Sequence, residues 1–317
     1  MIDIEIDIYT NNCKVYWGNL IEERDESKMT DFLTLEKVNK KYPTFSLKDV
    51  SFSIKPGEIM GFIGRNGAGK TTTLKSIMNL IHYDSGKIMA FGTDMKENEL
   101  ANKQRIGFAL SELNYYPNKT IRQLMQVTKK FYKNFDDAKF NQVCELFNLN
   151  IDKKLEELSS GMKVKYSVAV ALSHKAELLI LDEPTSGLDP VSRDEILDIF
   201  REIVKNKERA ILFSTHITSD LDKCATNITY IHDGEIIFTG QKKDFINSYL
   251  FVKDKSKNRD LEKEYIACKE LDDHIEGLID VKKKDIFVKA GITPQEPDLE
   301  QIMVYIERSK NNESFTL

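Results

Sequence analysis

The sequence predicts an α/β fold built on a parallel sheet, and three observations predict it. Gly64-Arg65-Asn66-Gly67-Ala68-Gly69-Lys70-Thr71-Thr72 fits the phosphate-loop pattern G-x-x-x-x-G-K-[ST]. The apolar run Ile59-Met60-Gly61-Phe62-Ile63 before it reads as a buried strand, and Thr72 to Met78 after it as a helix. That strand–loop–helix order is the context the motif needs. Two further apolar runs end in polar groups: Leu178-Leu179-Ile180-Leu181 runs into Asp182-Glu183-Pro184, and Ile211-Leu212-Phe213 into Ser214-Thr215-His216. In an open parallel sheet ligands bind outside the carboxyl ends of the strands, which is where such residues fall.

The bulk properties narrow the classes. At 317 residues the chain has room for about two domains. A net charge of −5 supplies no bulk field to recruit nucleic acid or an anionic membrane, so no nucleic-acid partner is expected. Cys13, Cys144, Cys224 and Cys268 are far apart and form no C-x-x-C pair, which argues against a zinc knuckle or a disulfide frame and fits a reducing cytoplasm. No apolar run approaches the roughly 18 residues of a membrane span. The acidic start does not read as a secretory signal.

In order, residues 1–29 are expected to be an N-terminal extension of unclear status, either an appended leader or the product of a start codon upstream of Met29. Leu33, Leu35 and Val38 predict one strand, and Leu47 to Ile54, with Val50, Phe52 and Ile54 alternating against Ser51 and Ser53, another. Pro56-Gly57 turns into the phosphate-loop strand. Lys87 to Phe91 and Arg105 to Leu110 read as further strands. Thr120-Ile121-Arg122-Gln123 fits a capping box, and helical periodicity continues through Leu146. Helices are expected over Val191 to Lys205 and Asp298 to Ile306, and a hairpin at Asp233-Gly234. Lys253 to Glu264 reads as a solvated linker or helix, while Gly277 to Val281 and Asp285 to Val288 look strand-like.

The chemistry concentrates at five places. Backbone N–H groups of the Gly-rich loop and the helix end behind it attract phosphate. Lys70 is placed to reach the β- and γ-phosphates and the Thr71 hydroxyl to ligate Mg²⁺. Asp182 is aimed at the metal of a bound nucleotide and Glu183 at the water attacking the γ-phosphate. Leu158-Ser159-Ser160-Gly161-Met162 opens a Val- and Ala-rich helix; read alone, it is a plain N-cap before it is a second anion site. His216 closes a core strand at the ligand edge. Tyr42 is, on chemistry alone, either an ordinary half-buried tyrosine or a platform for adenine. Lys282-Lys283-Lys284 reads as a solvated turn sooner than a lipid contact.

Taken together these residues resemble the ATP-binding cassette (ABC) ATPases, motif by motif from about Thr30 to Gly240. Gly64 to Thr72 matches Walker A, Tyr42 the adenine-stacking aromatic, and Leu158 to Met162 the signature, which departs from L-S-G-G-Q at its third and fifth positions. Leu178 to Glu183 matches Walker B with its catalytic glutamate, Ser186-Gly187-Leu188-Asp189 the D-loop, and His216 the switch histidine. The lid-loop glutamine is replaced: Ser111 stands in its place beside Glu112. The resemblance implies a P-loop NTPase, RecA-like α/β core with an antiparallel β subdomain and a helical insert. The division it implies is a nucleotide-binding domain over 30–247, with a helical subdomain at about 112–157, and a small C-terminal α+β accessory domain over 248–317.

The same resemblance implies ATP and Mg²⁺ as cofactors, with Lys70, Glu183 and His216 catalytic. It places nucleotide on Tyr42, Gly64, Arg65, Asn66, Gly67, Ala68, Gly69, Lys70, Thr71, Thr72, Ser159, Ser160, Gly161 and Asp189, and metal on Thr71 and, through water, Asp182. Implied partners are a second ABC ATPase, the same chain or another, in a head-to-tail dimer, and a separate multi-span membrane permease. That would hold the chain in the cytoplasm at the inner face of the membrane. The signature variant, the lid loop and the closing Asp298-Leu299-Glu300-Gln301-Ile302 are similar to ATPases of bacterial ABC-2-type exporters. A ribosome- or DNA-acting soluble ABC protein is the alternative; two cassettes in one chain, or long coiled coils or zinc motifs breaking the cassette, would mark it, whereas this sequence carries each cassette motif once and neither of those interruptions.

Overall fold

The structure is a computed structural model that describes residues 30–109 and 116–311. The expected leader with Met29, Cys13, and the lid-loop positions Ser111 and Glu112 lie outside the described residues.

The chain begins with β1 (Leu33–Lys41) and β2 (Ser46–Ile54), passes through β3 (Ile59–Ile63) into α1 (Lys70–Ile77), and returns as β4 (Ser85–Ala90) and β5 (Thr93–Asp94). After α2 (Glu99–Gln104) and β6 (Ile106–Ala109) come α3 (Ile121–Thr128), α4 (Asp137–Leu146) and α5 (Ser160–Ser173). Then β7 (Leu178–Asp182), α6 (Pro190–Val204), β8 (Ala210–Thr215), α7 (Thr218–Cys224), β9 (Asn227–His232), β10 (Glu235–Gln241) and α8 (Lys242–Asn247) follow. The remainder is β11 (Tyr249–Asp254), β12 (Ala267–Glu270), β13 (Ile275–Asp280), α9 (Lys284–Lys289) and α10 (Leu299–Asn311).

Three sheets result. An antiparallel sheet has the order β2-β1-β4-β5, the central sheet β10-β9-β3-β8-β7-β6, and a C-terminal sheet β11-β13-β12. In the central sheet β9, β3, β8, β7 and β6 run parallel, and β10 closes the edge antiparallel. The fully apolar pattern of β7 has its reason in two cores. Leu179 and Leu181 point into the cluster with Phe200 and Phe213 under α5 and α6, and Leu178 and Ile180 into the one with Phe62, Leu74 and the antiparallel sheet. A strand buried on both faces has no polar alternation. Truncating Phe213, which is 0% exposed, to alanine would cost about 3–5 kcal/mol.

Thr120 caps α3 as expected: Gln123 N donates to Thr120 Oγ1, and Thr120 N donates to Gln123 Oε1. The Asp233-Gly234 hairpin is present, with both residues at positive φ (45° and 79°), as its two-residue turn requires.

Three expectations are corrected. The helix read through Leu146 is two helices, because Asp136 accepts from Lys139 N and starts α4 afresh. The strand expected at Asp285 to Val288 is helix α9, in which only Phe287 is fully buried and Gly291, at φ 79°, ends the turn. Lys253 to Glu264 is neither linker nor long helix: β11 ends at Asp254, and a 3-10 turn spans Arg259–Glu264. Beyond residue 247, a small cluster of Val252, Tyr265, Ile279 and Phe287 fills the C-terminal sheet, while Leu299, Ile302 and Ile306 of α10 join the main core instead. Among the described residues no helix is long and apolar enough to cross a membrane.

Candidate functional site

The carboxyl ends of β3, β7 and β8 converge on a pocket of about 350 Å³. Arg65, Asn66, Gly67, Gly69, Lys70, Thr71 and Thr72 line one side; Asp182, Glu183, Ser186 and His216 line the other. The loop must be glycine at two places for different reasons. A Cβ on Gly64 would sit 2.3 Å from the Ile231 carbonyl oxygen, so the loop could not lie against β9. Gly69 takes φ 113°, a conformation L side chains rarely adopt, and hands the chain to α1 with no side-chain cap. The first N–H groups of α1 are thus left for a ligand. Gly234 N donates to the Ala68 carbonyl (3.0 Å) and straps the loop to the β9–β10 hairpin, so Gly64 and Ala68 support the pocket from behind.

The side chains form one connected network. Lys70, 5% exposed, donates to the Gly64 carbonyl (2.7 Å) and pairs with Glu183 Oε1 (3.3 Å). Thr71 Oγ1 donates to Asp182 Oδ2 (2.9 Å). His216 Nδ1 lies 2.8 Å from Glu183 Oε2, so lysine and imidazole bracket the glutamate. Glu183 sits at φ 50°, a strained position for a non-glycine residue. Ser214 is a site residue that sequence reasoning missed. Its Oγ donates to Asp182 Oδ1 (2.6 Å) and accepts from Glu183 N (2.9 Å), fixing the Asp182 carboxylate and the Glu183 backbone at once. Its place two residues before His216, opposite Asp182 in the β7–β8 register, was the available signal.

Other expected site residues lie elsewhere. The aromatic ring on the pocket wall is Phe45; Tyr42, on the same turn, is half-buried outside it, its N donating to the Phe45 carbonyl (2.7 Å). Asp189 is absent from the wall. It caps α6, accepting from Val191 N (3.0 Å) and Ser192 N (3.1 Å), and its hydrogen bonds with Ser192 hold its carboxyl below the usual range. Ser159, Ser160 and Gly161 stand at the start of α5, away from this chain's own pocket; Ser159 caps the helix and both serines are exposed. Behind the site, burial pushes the Asp220 carboxyl up, against the hydrogen bond that Thr185 Oγ1 donates to it (2.6 Å).

Thr71 and Asp182 offer adjacent hard oxygen atoms, the donor type that Mg²⁺ takes. Among the described residues no cluster of three or more His, Cys, Asp or Glu could hold a metal unaided. The oxygen donors suit an ion arriving with phosphates.

A family model described as "ABC transporter" matches residues 47–186. The bacitracin transport ATP-binding protein BcrA of Bacillus licheniformis is 32% identical over 279 residues, covering 82% of this chain and 91% of that protein. The chain belongs to the ABC transporter ATP-binding proteins. The ATP-binding protein YtrB of Bacillus subtilis is 34% identical over 190 residues, 60% of this chain and 65% of YtrB. A solved ATP-binding subunit of an ABC transporter superposes with TM-score 0.61 at 26% identity, covering 67% of this chain and 91% of that one. A dimeric cassette, MJ0796 bound to ADP and Pi, shares the fold at TM-score 0.57 and 22% identity, over 66% of this chain and 98% of its own. This ABC protein is therefore the ATP-binding, ATP-hydrolysing subunit of a transporter, with the P-loop NTPase fold expected of it.

Proposed function

We propose that two such subunits, this chain with itself or with a second ABC ATPase, close head to tail around two ATP molecules and so drive export through a separate multi-span permease. The observation that carries this is the position of Ser159-Ser160-Gly161. Among the described residues this exposed helix start does not line the phosphate pocket of its own chain, and in a head-to-tail pair it would meet the γ-phosphate on the partner's loop. The name of BcrA, a bacitracin transport ATP-binding protein, supports the transporter part of this reading. The domain over 30–247 would bind nucleotide, its helical part near 112–157 would dock on the permease at the inner face of the membrane, and 248–317 would be accessory.

Lys70 pairs with Glu183. An arriving γ-phosphate takes the ammonium, which then stabilises charge on the transferring phosphoryl group and frees Glu183 to polarise water. His216 holds Glu183 through Oε2 and, with the pair closed, the γ-phosphate. Thr71 and, through water, Asp182 would hold Mg²⁺, which when bound neutralises the phosphate oxygens. The turn Tyr42 to Phe45 borders the adenine end, with Tyr42 the stacking ring. Cleavage removes the group bridging the chains, and the pair opens.

Phosphate release and gel filtration with ATP test the scheme. Glu183→Gln should lower turnover about a hundredfold or more and accumulate as an ATP-bound dimer. Normal turnover in that variant would remove Glu183 as the base, and a wild type that stays monomeric throughout would remove the pairing.

A further inference from the structure

The C-terminal helix reaches the phosphate loop through one carboxylate. Glu307 on α10 is 9% exposed and is held at Oε1 by two donors from β9: Tyr230 Oη donates to it (2.7 Å) and His232 Nδ1 lies 3.0 Å away. Burial first, and then the Glu307 carboxylate, hold the Tyr230 phenol far above its ordinary range, so it stays a donor. The other oxygen, Oε2, is buried and accepts no hydrogen bond among the described residues. A buried carboxylate oxygen without a partner is costly. The cation facing it is Arg65, whose Nη1 stands 3.7 Å from Oε2 while the side chain remains 65% exposed. Arg65 also lines the nucleotide pocket, and its carbonyl accepts from Lys70 Nζ (3.3 Å).

We propose that Glu307 is a positioning residue for the nucleotide site: it draws the Arg65 guanidinium towards α10 and yields it to the phosphates when ATP binds. Two anions then compete for one guanidinium. The pair is long enough to break and charged enough to matter, and the exchange couples the last turn of α10 to nucleotide occupancy. Glu307 therefore restrains ATP affinity. The inference rests on the phosphate-loop reading above and extends it to a residue some 240 positions downstream in the chain.

The test is a double-mutant cycle on the full-length protein, with nucleotide affinity read by titration of ATP. Glu307→Gln keeps an oxygen for Tyr230 and removes the charge; the dissociation constant for ATP should fall about two- to fivefold, the span of a partly exposed ion pair. In the Arg65→Gln background the same substitution should produce no such fall. An unchanged affinity in Glu307→Gln, or an equal shift without Arg65, overturns the proposal, since a purely structural role would ignore Arg65. Should Glu307→Gln fail to fold, hydrogen exchange on wild type and Arg65→Gln decides. ATP should speed exchange in the last turn of α10 in wild type and leave it unchanged in Arg65→Gln; equal behaviour in the two overturns the exchange. Failure of wild type to bind ATP would instead strike the phosphate-loop reading.

Discussion

Two helix starts in this molecule are finished in opposite ways. α1 begins inside the pocket, behind a left-handed Gly69, with no side-chain cap and with Lys70 and Thr71 already engaged beneath it. α5 begins with Ser159 and Ser160 exposed, Ser159 accepting from Met162 N, and does not line the phosphate pocket of its own chain. The first is a complete half of a binding site. In the proposed pair the second would be a lid half, capped by Ser159 where it stands exposed.

Breaking each end separately gives the largest effects. Lys70→Ala should lower ATP turnover by about a hundred- to a thousandfold, the loss of one charge-stabilising group at a transferring phosphoryl, and should weaken ATP binding in titrations. Ser160→Glu, which puts an anion on the exposed end of α5, should abolish turnover while leaving ATP binding to the single chain intact. A mixture of the two variants should regain phosphate release, since one site of the mixed dimer then has an intact loop and an intact lid. No recovery would mean the two ends do not serve one site.

The adenine end sharpens the comparison. Base stacking on an aromatic ring is worth about 1–3 kcal/mol, so Tyr42→Ala should weaken ATP binding by roughly tenfold if Tyr42 is the stacking ring. Phe45→Ala is the control, because Phe45 is the ring on the pocket wall. Titration of both with ATP and with pyrophosphate separates stacking from collapse of the loop, as only stacking spares pyrophosphate.

The far end of α5 yields the smallest and most specific effect. Its C-cap, His174, is buried against Tyr132 with ring centroids 3.8 Å apart, and burial pushes its imidazole down to about 4. The unfolded chain takes up that proton near pH 6.5, the folded chain only near 4, so stability is intact above about 6.5 and erodes as pH falls between them. At pH 5 the loss amounts to roughly 2 kcal/mol, and His174→Phe should flatten the denaturation midpoint over that window.

Local features were legible in the sequence; pairings between distant residues were not. The phosphate loop, the capping box at Thr120 and the Asp233-Gly234 hairpin each write their geometry within a few residues, because turns and caps use side chains next to the backbone they serve. Ser214 and Glu307 were missed because their partners lie 32 and 77 residues away, at Asp182 and Tyr230, and no spacing rule links them. The helix at α9 was misread because Ile286, Phe287 and Val288 look like a strand, whereas only the middle residue is buried. Phe45 was overlooked because chemistry alone does not say which of two nearby rings faces a cavity.

The left-handed backbone at Glu183 has a consequence for how this protein can change. Glycine would relax that backbone, yet it would leave the buried Lys70 ammonium without its carboxylate and His216 without its acceptor. The strained main chain is thus kept by the side chain it carries, and heat resistance alone gives no reason to exchange the acid for glycine.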